Sequence, residues 1–483
     1  MQFVGRAFEL DYLHRLYTEV RGTLCIVYGR RRIGKTRLLT QWLESSQTPG
    51  FYWLATDTSA AALLASLSQA IYRQMHGEPP AQPGFSYYDW DELFRELVRM
   101  VRSSAEKVVV ILDEFTYAVE AYPDLPHKLQ AVWDHELKDL PVMLVLSGSH
   151  IGMVEESLLA HRSPLFGRAT GVLNLRQLPF KDVRAGFPRY DIEACIALYS
   201  VVGGVPYYLE QLDPSLSVVE NIMQRVMASP ALVQDEPRLL LHDHFAQPRL
   251  YAAIIALVAR GIHSPKEIAD TLDVEAATVG GYLNTLVRLG LVQREVPATE
   301  RRPEQSRRSR YQVTDPFLRF YYRFLEPQLP FLVRGAYRAV WNTIERHWRA
   351  FIGTHTFEEL CREYVYVAAE IGRLPFLPQI VGAHWSKTEQ IDLVAINWDE
   401  AAILFGECKW KRESSLDLSE VEKLVERAGL LPLATRSGQP LTPHYIFFSR
   451  SGFTEPARVR ALELEAILVD LAELDRVLAQ AVR

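Results

Sequence analysis

Five short apolar runs punctuate the first 180 positions, at 24–28, 51–55, 107–112, 142–147 and 171–175. They are rich in Val, Ile, Leu and aromatic residues, and helix-like stretches separate them. Unbroken apolar runs of this length suit strands covered on both faces, so the region reads as α/β with a buried parallel sheet. From about 180 to 325 the pattern turns helical. Residues 78–84 (Glu-Pro-Pro-Ala-Gln-Pro-Gly) read as a loop, and Glu326–Pro330 as a linker or helix break. A second region of charged helices and strands starts near 345. There is no internal repeat and no long low-complexity tract.

Composition narrows the function classes. Of 483 residues, 53 are Lys or Arg and 59 are Asp or Glu, a formal charge of −6, so a nucleic-acid surface has to be a local patch. Cys25, Cys195, Cys361 and Cys408 lie far apart, which excludes a disulfide framework or a cysteine-rich zinc site and fits a reducing cytosol. No apolar run reaches about 18 residues, so no membrane span is expected. Early charges at Glu9 and Asp11 do not suit a secretory leader. The expected location is cytoplasmic.

The sharpest chemistry follows the first apolar run. Gly29-Arg30-Arg31-Arg32-Ile33-Gly34-Lys35-Thr36 has the spacing G-x-x-x-x-G-K-T and leads into the helix-like Arg37–Leu43. Glycines let backbone amides wrap phosphate oxygens, and a helix N-terminus adds partial positive charge. Gly29, Arg32, Ile33, Gly34, Lys35, Thr36 and Arg37 are therefore expected to hold ATP. Lys35 would reach the β and γ phosphates, and Thr36 would ligate Mg²⁺. The run Val108–Leu112 delivers Asp113 and Glu114 at the carboxyl end of a strand, where α/β ligands bind. Asp113 is expected to hold Mg²⁺ through water, and Glu114 to polarise the attacking water. Ser149 either senses the γ-phosphate or caps the next helix. Arg168 is expected to supply charge to the transition state, in cis or in trans. Arg30–Arg32 stay open between phosphates, a partner and a solvated face.

These motifs, in order, resemble the archaeal-type ATPases of the STAND-like, AAA+-related branch of P-loop ATPases. The matching segments are Phe3-Val4-Gly5-Arg6 with Glu9-Leu10, Tyr28–Thr36, Leu112–Phe115, Ser147-Gly148-Ser149, Pro164–Arg168, Gly203–Leu209 and Thr314–Tyr322. The resemblance covers nearly the whole chain. It implies an additional-strand ATPase core (1–180) with a helical lid (181–245). Phe3–Arg6, Val4 included, would line an adenine pocket, and Gly203–Pro206 would bring the lid against the nucleotide.

Residues 246–330 read as a winged helix-turn-helix. Leu250–Ala259, Ser264–Leu272 and Val274–Leu289 are its helices, and Leu291–Arg294 and Arg310–Val313 its wing strands. The intervening loop carries Arg301, Arg302, Arg307 and Arg308, and is expected to touch DNA phosphates. The alternative is a protein-packing module.

Residues 345–483 contain a hairpin, Ile391–Ile396 and Ala401–Lys409, around a turn at Asn397–Glu400. Alternation puts Glu407 and Lys409 on one face, and pairing brings Asp392 near Glu407. Two carboxylates and a lysine suit Mg²⁺ or Mn²⁺ and an activated water, with Asp392 and Glu407 as ligands and Lys409 stabilising charge. Glu358, on a helix at about 347–368, would add a third acid. The order of elements resembles the PD-(D/E)xK fold, a restriction-endonuclease-like α/β domain. The expected function is an ATPase coupled to a metal-dependent nuclease acting on DNA, in defence or mobile-element biology, with homo-oligomers as a further expectation. The rivals are an ATP-switched DNA-binding regulator whose nuclease fold does not cut, and an ATP-dependent scaffold.

Overall fold

A computed structural model describes residues 3–48, 50–242, 245, 248–411 and 414–481. Packing divides the chain into two compact units. One is Gly5–Leu178 with Val205–Tyr207; the other is the rest of the described chain. The expected lid, helix-turn-helix and C-terminal region thus share one unit.

The first unit is built on β1 (Thr23–Tyr28), β2 (Gly50–Leu54), β3 (Val108–Asp113), β4 (Val142–Gly148) and β5 (Gly171–Asn174). All pairings are parallel, in the order β2-β3-β4-β1-β5, so β4 is the strand inserted between β1 and β3. The three inner strands are buried at every position, whereas β2 and β5 have outward-facing exposed residues. Their position explains this: an edge strand of a covered sheet meets solvent on part of its surface, and an inner one does not. Parallel strands all present their carboxyl ends at one edge of the sheet, and the loop after β1 opens there.

In the second unit, helices Pro248–Ala259, Pro265–Leu272 and Ala276–Arg288 precede a two-stranded antiparallel hairpin, β6 (Val292–Glu295) and β7 (Arg310–Val313). Ser264 caps the middle helix by accepting from Glu267 N, and left-handed Asp273 ends it. Ile254, Ile268, Val279, Leu283 and Leu286 form the buried seam. The expected break at Glu326–Pro330 is a turn of 3₁₀ helix, Glu326–Gln328, that leads into a further helix, Leu329–Val333. Proline is tolerated in a first helical turn, so the prolines do not end the helical path.

The last sheet holds β8 (Ile380–Trp385), β9 (Gln390–Asn397), β10 (Ala402–Lys409), β11 (Thr442–Ser449) and β12 (Ile467–Asp470). The order is β12-β11-β10-β9-β8; β8, β9 and β10 run antiparallel, and β10, β11 and β12 parallel. Ile391, Ile403, Phe405 and Phe447 pack with Val421 and Leu424 of helix Leu418–Gly429. Phe448 meets Tyr364 of helix Glu358–Glu370 edge-on. The expected helix at about 347–368 lies inside a continuous helical run, helix Tyr337–Phe351 followed by a π turn at Ile352–Phe357 and then helix Glu358–Glu370.

Candidate active site

The loop after β1 is shaped by backbone that other residues adopt with difficulty. Gly29 has φ 154°, and a Cβ there would lie 2.3 Å from the Leu175 carbonyl; Gly34 has φ 93° and stands at the N-cap of helix Lys35–Ser46. Ile33 is buried and anchors the loop. Arg32 is left-handed, with its guanidinium 3.9 Å from the centre of the Tyr207 ring, and a Cβ on Gly34 would sit 3.5 Å from Pro206. Segment Val205–Tyr207 therefore lies on the loop, within the same unit. Arg37 is exposed on the first turn of the helix.

Lys35 is 5% exposed and donates to the Gly29 carbonyl at 3.1 Å, with Glu114 Oε1 at 3.7 Å. Burial pushes its ammonium down, while Glu114 and Asp113 pull it up. The Thr36 hydroxyl donates to Asp113 Oδ2 at 2.6 Å, and the Glu114 N–H donates to Asp113 Oδ1 at 2.9 Å. A hydroxyl and a carboxylate meeting beside a helix N-terminus form a hard oxygen set, which fits Mg²⁺ carried by a nucleotide. Glu114 is itself left-handed, φ 50°, and Ser149 grips its Oε2 through both N–H (2.9 Å) and Oγ (2.5 Å). Ser149 is thus the partner of Glu114. The cap of helix Ile151–Val154 is His150, which accepts from Met153 N.

Arg168 does not join this cluster. Its guanidinium holds Asp134 at 2.7–3.0 Å. Asp134 lies in the last turn of the helix Leu125–His135, which returns from the carboxyl edge of the sheet to the start of β4, and neighbouring Thr170 pairs with Leu24 near the start of β1. About 13 Å of β1 therefore separates Arg168 from its own phosphate loop. This position does not bring Arg168 to its own phosphate loop. Val4 belongs to the other unit.

Two further partners complete the cluster: Arg6, expected only as part of an adenine pocket, and Tyr52, not singled out from the sequence. Arg6, buried and left-handed, donates to the Ile33 carbonyl at 3.0 Å. Tyr52 donates to Asp113 Oδ2 at 2.8 Å, and burial together with Asp113 pushes its phenol up. For Arg6 the Gly-Arg motif was a signal; for Tyr52 nothing in the sequence marks the contact.

In the other unit, Asp392, Glu407 and Lys409 do converge. Asp392 Oδ2 accepts from Cys408 N at 3.0 Å, Glu407 Oε1 takes the Lys409 ammonium at 2.5 Å, and Arg427 stands 3.5 Å from Glu407 Oε2. Burial and then Asp392 push both Glu407 and Glu358 up. Glu358 pairs instead with Arg362, which also reaches Glu295 of β6. Among the described residues no group of three or more His, Cys, Asp or Glu is placed to hold a metal ion. The backbone amide and the lysine take one oxygen of each carboxylate, Asp392 Oδ2 and Glu407 Oε1, and leave buried Glu407 Oε2 without a hydrogen-bond partner, so the expected Mg²⁺ or Mn²⁺ would meet two carboxylates here.

The arginine-rich loop between β6 and β7 packs on the last sheet. Ala298 joins its core and donates to the Ala383 carbonyl; Arg301 lies 5.0 Å from the Trp398 ring and bonds the Ala434 carbonyl; Arg310 lies 4.6 Å from the Trp385 ring. Arg308 pairs with Glu300. Of the expected phosphate contacts, Arg302 and Arg307 are exposed and make no such anchor among the described residues.

Comparison with known proteins agrees with this geometry. Residues 3–212 match the family model of an ATPase domain predominantly from Archaea, and residues 321–423 that of archaeal and bacterial proteins of unknown function. An uncharacterized protein of Methanocaldococcus jannaschii is 28% identical over 430 residues, 89% of this chain and 92% of that protein. An uncharacterized ATP-binding protein of the same organism is 45% identical over 47 residues, 10% of this chain and 80% of that one. The Walker-type ATPase of Pyrococcus abyssi shares the fold over 66% of this chain and 96% of its own, with TM-score 0.50 and 18% identity. No helix among the described residues is long and apolar enough to cross a membrane. The phosphate loop and its paired acids thus lie within the residues that match the ATPase-domain model, on a fold shared with a Walker-type ATPase.

Proposed function

We propose that this chain is an ATP-hydrolysing switch that works as an oligomer and grips DNA with its second unit. The observation that carries the ATPase reading is the Thr36–Asp113 hydrogen bond beside buried Lys35 and Glu114. Mg²⁺ bound there supplies charge neutralisation across the β and γ phosphates. Gly29–Thr36 would cradle the phosphates with N–H groups, and Lys35 would trade its loop carbonyls for phosphate oxygens. Glu114 would orient the attacking water once Ser149 shares or releases its Oε2. Arg168, at the far edge of its own sheet, would serve the phosphates of a second copy.

DNA gripping rests on the exposed face of helix Ala276–Arg288, with Thr278, Asn284 and Arg288, and on exposed Arg302 and Arg307. Asp392, Glu407 and Lys409 read as an ion-paired hairpin, which supports gripping without cutting. The test is one incubation series with DNA, Mg²⁺ or Mn²⁺, and ATP or a non-hydrolysable analogue. Phosphate release with nucleotide-dependent mobility shift and intact DNA is expected. Cleavage lost in Asp392→Ala would restore the nuclease reading, and no DNA binding in any nucleotide state would leave the scaffold.

A further inference from the structure

β2 lies at the edge of the ATPase sheet and contributes no residue to the phosphate loop. In its parallel register with β3, Leu54 pairs with Asp113 and Tyr52 with Ile111. Paired residues of parallel strands share a face, and so do residues two apart. Tyr52 is therefore on the face of Asp113, one pair further back. Its phenol spans that step and donates to Asp113 Oδ2 at 2.8 Å, the oxygen that also receives Thr36 at 2.6 Å. Oδ1 receives the Glu114 N–H at 2.9 Å. Asp113 is fully buried, so these donors define the plane of its carboxylate.

We infer that Tyr52 is a positioning residue for the magnesium site: it holds Asp113 in the rotamer that accepts a water of Mg²⁺. This rests on the ATPase reading. Were Thr36 and Glu114 its only donors, Asp113 Oδ2 would depend on the Thr36 hydroxyl alone and would lose its donor whenever that hydroxyl turned toward a cation. Tyr52 supplies that donor from a separate strand, so the acid stays oriented while the phosphate loop rearranges. Outer partners of this kind typically contribute 10–100-fold to metal affinity or activity.

The experiment is Tyr52→Phe in the full chain, which keeps the ring and removes the hydroxyl. A fluorescent ATP analogue is titrated at a series of Mg²⁺ concentrations, and phosphate release is measured in parallel. The expected result is unchanged analogue affinity in EDTA, an increase of about tenfold in the Mg²⁺ needed for half-maximal tightening, and turnover that recovers toward wild type at high Mg²⁺. An unchanged Mg²⁺ midpoint in Tyr52→Phe overturns the inference, as does a loss of analogue affinity in EDTA equal to that with Mg²⁺, which would mark Tyr52 as merely structural. If wild type shows Mg²⁺-dependent analogue binding but no phosphate release, the ATPase reading fails while the Mg²⁺ midpoint still judges Tyr52.

Discussion

Arg168 and Asp134 form a two-pronged ion pair, with Nε on both carboxylate oxygens and Nη2 on Oδ2 at 2.7 Å, toward the edge of the sheet opposite the phosphate loop. The pair fixes the direction of the guanidinium, and the hydrogen bonds from Arg168 hold the Asp134 carboxyl below its ordinary range. An arginine held in one direction and part-exposed is what the proposed role toward a second copy requires.

Arg168→Ala should therefore cut turnover by about 10³-fold or more with ATP affinity nearly intact. Mixing it with Lys35→Ala should restore part of the activity, because one mixed interface contains an intact loop and an intact arginine. Mixed oligomers that remain inactive would place Arg168 outside the reaction.

Lys35→Ala should lose nucleotide binding, since the phosphates lose their buried cationic partner. Glu114→Gln should bind ATP and fail to hydrolyse it. Equal turnover of Glu114→Gln and wild type would remove Glu114 as the residue that orients water. Nucleotide binding is read by fluorescence and turnover by phosphate release.

Salt dependence separates the arginines of the β6–β7 loop. Replacing Arg302 and Arg307 by Ala should weaken DNA binding and flatten the slope of log affinity against log salt by about 2. Replacing Arg301 and Arg308 should leave that slope and instead lower the melting temperature, because these two hold the last sheet and Glu300. Identical slopes in wild type and the first variant would assign the loop to packing alone.

Glu363 links stability to pH. Burial raises it to about 6, with Lys181 lowering it and Asp182 and Glu359 raising it further. The folded chain thus holds this proton more tightly than the unfolded one, and stability falls as pH rises from about 4.5 through about 6. At neutral pH the buried ionised form costs about 2 kcal/mol. Glu363→Gln should gain roughly that much at pH 7 and nothing at pH 4 in denaturant unfolding. A gain independent of pH would show that packing, not ionisation, is responsible.

The phosphate loop was legible because its chemistry is contiguous: Gly29 to Thr36 must wrap one phosphate chain, so spacing alone specifies strand, loop and helix. Asp113 and Glu114 were legible because a buried strand ends on them, and hairpin pairing was enough to bring Asp392 beside Glu407. Tertiary structure alone decided what depends on which strands are neighbours. Tyr52 reaches Asp113 across 61 residues because β2 lies against β3. Arg168 faces away from its own loop because the helix ending near Asp134 returns to the opposite edge. Arg301 and Arg310 sit over Trp398 and Trp385 because the hairpin loop docks on the last sheet. The local pattern of residues specifies elements and their chemistry; strand order and docking, set by packing over the whole chain, determine which side chains meet.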